Sequence, residues 1–364
     1  MSFMSAVSAA LLTNHIQGNP LLIVKYIADI LGVILNVIYN LVSAAFLSNS
    51  LGISIILFTL IVRALMIPLA LKQQDSMLGM RKVQPEVDKI RKKYAGKKDT
   101  EAQQRMNAEV QKLYSTHKIN PLSGCLPIII QFPIFIALSY IMQHTFIYIK
   151  KIGALYDQIS AQLIAMPNAF DILKVFAGEK RASANMPINV LNAHQYFTVY
   201  DSNGNDIGNH VVYGLNDMLN VFRTNDWNSL LSQVPADVNA ALQPLVAQLH
   251  AVDRFLGLSI IDNCSSGGYL APGMIIPVLA AVTSFLSSYF LNKMMKTNDP
   301  NTVMQQRMML IVFPVMMGFM TINFPVGVGI YWITTSVFAF VQQMILNKYY
   351  KAPKKEKAPK AKET

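Results

Sequence analysis

The chain has 364 residues and a formal net charge of +11, yet it is 52% hydrophobic and only 14% charged, roughly half the charged fraction of a soluble domain. Several runs of about 20 residues are almost free of ionised side chains, which excludes an ordinary soluble enzyme and points to an α-helical polytopic membrane protein. The positive residues lie in loops flanking those runs, so they read as determinants of membrane orientation rather than as a nucleic-acid surface.

Residues 1–19 form an N-terminal segment without the charged start of a secretory signal, since the first basic residue is Lys25, and no early cysteine is available for lipidation. With no arginine-rich transit sequence, a bacterial-type plasma membrane is the expected compartment. Residues 20–47 are apolar on average, but Lys25, Asp29, Gly32, Asn36, Asn40 and Ser43 recur at helical spacing as one non-apolar stripe. The periodicity reads as an amphipathic helix lying in the membrane interface, with a spanning helix as the alternative.

The runs 51–71, 122–146, 272–292, 308–324 and 327–347 read as membrane spans. The first, LGISIILFTLIVRALMIPLAL, carries Arg63 inside an otherwise uncharged stretch. An arginine near a helix centre costs roughly 2.5–3.5 kcal/mol on insertion scales, so this one is expected to face a bundle interior or a wet cavity. Thr59, one turn earlier, shares its face. Asn323, Pro325 and Gly327 separate the last two runs and imply a tight helical hairpin. The run 308–324 is short for a full bilayer, so local thinning is expected.

Between the first two runs, residues 72–118 contain twelve Lys or Arg against six Asp or Glu, which places the 72–120 connection in the cytoplasm. One seam is Val83, Val87, Ile90 and Tyr94, another is Met106, Val110 and Leu113, and AGKKD at 95–99 supplies a turn, so two antiparallel amphipathic helices are expected. Residues 147–270 hold seven basic and ten acidic residues and belong on the opposite side. There YFTVYDSNGNDIGNHVVYG at 196–214 reads as two strands around a turn, flanked by helical patterns at 157–177 and 237–255, which makes a small α+β extracytoplasmic insert. The 293–307 loop and the 348–364 tail, with seven lysines against two glutamates, are expected in the cytoplasm. The tail suits a polyanion such as ribosomal RNA or anionic lipid, or is simply solvated.

No catalytic constellation emerges, so no enzyme activity and no cofactor are expected. The histidines at 15, 117, 144, 194, 210 and 250 lack metal-ligand spacing, and Cys125 and Cys264 fall on opposite sides of the membrane. The remaining candidates are intramembrane polar groups: Gln131, Ser139 and Gln143 on the second run, Thr283, Ser284, Ser287 and Ser288 on the third, and Trp332, Thr335, Ser336 and Gln343 on the fifth. Any single Ser or Thr of this kind is ordinarily a helix-packing group, and Arg63 makes the set specific because its charge needs water or hydrogen-bonding company. Methionines cluster at 294, 295, 304, 308, 309, 316, 317 and 320, as either core filler or a surface tolerant of many apolar sequences.

The runs GISIILFTLIVRALMIPLALKQ, QPEVDKIRKKY, INPLSGCLPIIIQFPIFIAL and NFPVGVGIYW, in this order, closely resemble the YidC/Oxa/Alb membrane protein insertases over residues 20–146 and 270–350. The resemblance implies five spans around a hydrophilic groove open to cytoplasm and lipid but closed externally, with an outside N-terminus and a cytoplasmic helical hairpin. It further implies that Arg63 is the charged residue of that groove, lined by Thr59, Gln131, Ser139, Thr283, Ser284, Ser287, Ser288, Tyr331, Trp332, Thr335 and Ser336. The implied partners are nascent membrane proteins and the bilayer, with the ribosome and a Sec-type translocon as further candidates and a monomer as the working unit. Ser287 and Ser336 stand where Gram-positive relatives tend to carry a glutamine and an asparagine, and the insert is longer than usual. A transporter binding an anion at Arg63, or an assembly chaperone that does not insert, are the rival readings.

Overall fold

The computed structural model describes residues 22–46, 48–96, 99–117, 119, 126–166, 172–173, 176, 215–216, 218–220, 222–294 and 300–349. The 1–19 segment, the strand pair expected at 196–214, Cys125 and the tail from residue 350 onward lie outside the described residues. What is described is mostly helical, with several apolar helices compatible with a polytopic membrane protein.

Helix α1 is Leu22–Ala45 and α2 is Ser50–Leu65. The apolar run expected over 51–71 is divided at Met66, and helix α3, Ile67–Lys93, sets off at 50° to α2. Pro68 at the start of α3 accounts for the break, because it has no N–H to continue the hydrogen-bond ladder of α2. Helix α4 is Thr100–Thr116, its first turn capped by the Asp99 carboxylate accepting from Ala102 N at 3.0 Å. Contacts of Lys93 with Glu109 at 2.7 Å and of His117 with Glu86 at 3.7 Å set α3 and α4 antiparallel, with Val83, Val87 and Ala102 buried.

Helix α5, Leu126–Gln143, packs on α1. Helices α6, Lys150–Ile164, α7, Thr224–Gln233, and α8, Ala236–Asp253, form the described part of the insert around Tyr156, Trp227, Leu230, Leu242 and Leu249. The polar stripe of α1 is turned toward the start of α6. Tyr148 donates to Asp29 Oδ1 at 3.2 Å, Lys151 Nζ to Ser43 at 2.8 Å, and Lys150 N to Asn36 Oδ1 at 3.0 Å, so Asn36 satisfies an orphan amide of α6 from another helix. The outward face of α1 is apolar, with Tyr26, Ile30, Val33, Val37 and Leu41 exposed.

After α8 comes a hairpin of two-residue strands, β1 Arg254–Phe255 and β2 Leu258–Ser259, turned by Leu256 and Gly257 with φ of 51° and 83°. Helix α9 is Ile275–Met294, α10 is Phe313–Thr321 and α11 is Val326–Tyr349. Helix Pro300–Arg307 runs into α10 through a π-helical stretch, Met308–Val312, where Pro314 has no N–H for the Leu310 carbonyl. Helix α11 is the hub, packing on α2, α5 and α9.

By length and composition, Tyr26–Ala45, Pro272–Asn292 and Val326–Leu346 each suffice to cross a membrane, as does the bent pair Ser50–Leu65 with Ile67–Met80. The apolar stretches Ile130–Gln143 and Met308–Thr321 are shorter. Val278, Val282, Phe285, Val315, Phe319, Val341 and Ile345 are exposed, a surface that lipid solvates and water does not.

Segment 260–265 lies antiparallel against the turn between α10 and α11. Gly327 N donates to Ile260 O and Val326 N to Asp262 O, both at 2.9 Å, while Cys264 N donates to Phe324 O and Ser265 N to Ile322 O, both at 3.1 Å. At the hairpin tip, Leu256 N donates to Asn49 Oδ1 at 3.0 Å, and the Phe255 ring fills the space that a side chain at Gly52 would need. The N-terminal ends of α2 and α11 are thus covered by the same short stretch of the insert.

Candidate functional site

Arg63 lies in the last turn of α2, about 20 Å along the axis from the helix start at 1.5 Å per residue. Its side chain is half-buried and is met by two other helices. Nη2 donates to Gln131 Oε1 of α5 at 2.6 Å and Nε donates to Thr335 Oγ1 of α11 at 3.4 Å. The Gln131 amide in turn donates to the Tyr331 hydroxyl. Tyr331 and Thr335 are four residues apart on α11, which aligns them on one face toward Arg63. All of these partners are neutral, and among the described residues no carboxylate pairs with Arg63. A guanidinium has five N–H donors, so two bonds to neutral oxygens leave capacity for an anion.

A second group sits on the adjacent face of α11, about 100° round the helix. Trp332 Nε1 donates to Ser284 Oγ of α9 at 2.8 Å, and Ser284 is 3.1 Å from Ser336 Oγ. The Trp332 ring is edge-on to Phe135, with centroids 5.7 Å apart, and lies 6.1 Å from Phe313. This group ties α9 to α11 rather than facing Arg63. Ser287 and Ser288, also on α9, are half-buried.

The other expected residues are dispersed. Thr59 is fully buried and donates to its own helix at Ile55 O, 2.6 Å away. Thr283 likewise bonds Leu279 O at 2.7 Å. Ser139 accepts from Gln143 Nε2 at 3.0 Å, two turns beyond Gln131, and belongs to a polar junction with the insert. There Asn220 donates to Gln143 O at 2.5 Å and accepts from Thr145 at 2.9 Å. Asn220 is a residue that sequence reasoning does not single out, because an amide in a long insert carries no periodic signal.

Asp253, at the end of α8, is also not among the sequence-derived candidates. It is buried, and its carboxylate accepts from Ser259 Oγ at 2.6 Å, Ile261 N at 3.1 Å and Ile260 N at 3.2 Å. Burial pushes its pKa up from 3.8 to about 6, against the hydrogen bond from Ser259 and with help from Asp262. Tyr156 and Trp227 line the small cavity beside it, and burial pushes the Tyr156 hydroxyl well above its ordinary range. Because the folded state holds this proton more tightly than the unfolded chain, the stability contribution is full below pH 3.8 and lost as pH rises through about 6. Asp253→Asn is therefore expected to be more stable than the parent at pH 7.5 by up to about 3 kcal/mol, with the gap closing near pH 4. Thermal midpoints of both chains across that range check this; parallel curves would contradict it.

The chain matches the family model described as 60Kd inner membrane protein over residues 42–198 and 211–355, well over half its length. It is similar to membrane protein insertase YidC 1 of Lactococcus lactis, 27% identical over 300 residues that make up 82% of this chain and 69% of that protein. It is 24% identical over 316 residues to membrane protein insertase YidC of Oceanobacillus iheyensis, covering 85% of this chain and 80% of that one. With the Fusobacterium nucleatum insertase YidC the identity rises to 44% over 115 residues, 29% of this chain and 54% of the relative, so that match spans about half of that protein's length. The match of the family model on both sides of residues 199–210 agrees with the motif resemblance, and the chain belongs to the 60Kd inner membrane protein family, that of the YidC insertases.

Proposed function

We propose that the protein inserts newly made membrane proteins into the bilayer, the activity for which its relatives are named. The observation that carries the mechanism is Arg63, a guanidinium between three apolar helices whose described partners, Gln131 and Thr335, are both neutral. A desolvated positive charge without a counter-charge attracts the carboxylates of a hydrophilic segment entering from the cytoplasm, and the Gln131, Tyr331 and Thr335 side chains replace part of the water that the segment loses. Its path through hydrocarbon is shortened, and no covalent chemistry is needed. The arriving apolar segment then leaves over the exposed faces of α9 and α11 into lipid. Family membership supports this reading over transport of a small anion or chaperoning without insertion.

In this reading the N-terminus lies outside and the C-terminus in the cytoplasm, α3 and α4 receive the substrate, and the basic tail holds a ribosome near the entrance. Thr283, Ser284, Ser287, Ser288, Trp332 and Ser336 shape the walls of the groove rather than its charged floor, while Ser139 belongs to the junction with the insert. Helix α1 lies along the interface, its exposed Tyr26, Ile30, Val33, Val37 and Leu41 against lipid and its polar stripe against the insert.

A photo-crosslinking residue at Thr335 is expected to capture arrested nascent chains whose first apolar segment has just left the ribosome. Capture only of fully inserted partners would instead favour the chaperone reading.

A further inference from the structure

The insert has no role in the insertion mechanism above, yet its last residues touch two of the three helices that carry the Arg63 cluster. Asp253 is where that contact is organised. Its carboxylate gathers Ser259 Oγ at 2.6 Å and the Ile261 amide at 3.1 Å, and at 3.2 Å it shares the Ile260 amide with the Asp253 backbone carbonyl, which accepts the same N–H at 3.0 Å. The carbonyls of Ile260 and Asp262 are thereby presented to Gly327 N and Val326 N, each at 2.9 Å, and these amides belong to the first turn of α11, where no intrahelical acceptor exists. On the other side of the hairpin, Phe255 seats on Gly52 near the start of α2; an added Cβ there would lie 2.3 Å from the ring. Gly327 is equally tight, since a Cβ would meet Ile260 at 2.7 Å and Met142 at 2.9 Å.

We infer that Asp253 is the positioning residue of an extracytoplasmic latch: by fixing loop 259–262 it holds the insert across the outer ends of α2 and α11 and keeps the groove around Arg63 closed to the exterior. This rests on the groove reading and assigns to the insert the closure that lets hydrophilic segments enter from one side only. Asp253 touches no substrate and acts through backbone groups of the loop. An asparagine at this position keeps an acceptor for the amides and a donor for Ser259, whereas a leucine of similar size keeps neither.

The test uses the full-length chain in cells or oriented vesicles, with Cys125→Ala and Cys264→Ala removing the native thiols, Thr335→Cys as the reporter and a membrane-impermeant maleimide added from the extracytoplasmic side. Labelling is expected to rise at least ten-fold when Asp253→Leu is added and to stay at the parental rate with Asp253→Asn. Hydrogen exchange on the same chains is expected to rise at 260–265 and 322–328 in Asp253→Leu alone. No increase in labelling with Asp253→Leu, or an equal increase with Asp253→Asn, overturns the assignment. Faster exchange spread equally through α2 and α9 does so as well. Failure of the groove reading is seen elsewhere, in insertion assays of Arg63 variants, and leaves the labelling result standing.

Discussion

Arg63→Ala is expected to lower the insertion of substrates with short acidic tails by ten-fold or more in reconstituted vesicles, while Arg63→Lys retains a substantial part of the activity. Two unit charges about 4 Å apart interact by about 4 kcal/mol at an effective dielectric constant of 20, and about 1.4 kcal/mol is a factor of ten in rate or affinity. Even a third of that interaction at the rate-limiting position gives the expected loss. Lysine keeps the charge but not the planar fork, so it cannot hold Gln131 and Thr335 while also bonding a carboxylate as arginine does. Substrates with neutral tails are expected to lose much less. Equal insertion of acidic-tailed substrates by all three chains would remove the electrostatic role and leave a groove that works by hydration alone.

Trp332→Ala is expected to have the largest effect on stability, about 3–5 kcal/mol, as for other buried large-to-small aromatic substitutions. The ring fills the junction of α11 with Phe135 of α5 and Phe313 of α10, and its indole N–H is the donor that reaches Ser284 of α9. Truncation opens a cavity where four helices meet and leaves the Ser284 and Ser336 hydroxyls with only each other. Trp332→Phe keeps most of the volume and loses the hydrogen bond, so a cost near 1 kcal/mol is expected. Thermal inactivation in detergent of the two variants separates these effects. A phenylalanine variant as unstable as the alanine one would mean that the hydrogen bond, not the packing, holds the junction.

Arg63 stands out in the sequence because a charge in an apolar run has few ways to be satisfied, and Tyr331 and Thr335 fall four residues apart on one face of α11, whereas no spacing ties Gln131 of α5 to them. The single hydroxyls are not legible in the same way. Thr59 and Thr283 sit at groove-compatible positions, yet each bonds a carbonyl one turn back, an option open to every helical Ser or Thr. The division of the first run at Met66 is signalled by Pro68, but the apolar stretch continues to Leu71 and hides it. In 20–47 the stripe members Asp29, Asn36 and Ser43 bond to residues 148–151 at the start of α6, a destination that no local pattern announces. The grip of the insert on the last turn is the least legible feature. Backbone N–H and C=O groups make it, and these are the same at every residue.

That backbone pairing also bears on how the protein itself is made. Cys264 precedes its partner Phe324 by 60 residues, with α9 and α10 between them. A strand edge that emerges so far ahead of its complement waits unpaired, and contacts of such separation form late. The pairing is therefore completed only when the last helical hairpin has been delivered, which on the topology proposed above makes the biogenesis of this chain a two-stage event: an insert folded first on the far side of the membrane, then a final pair of helices docked beneath it.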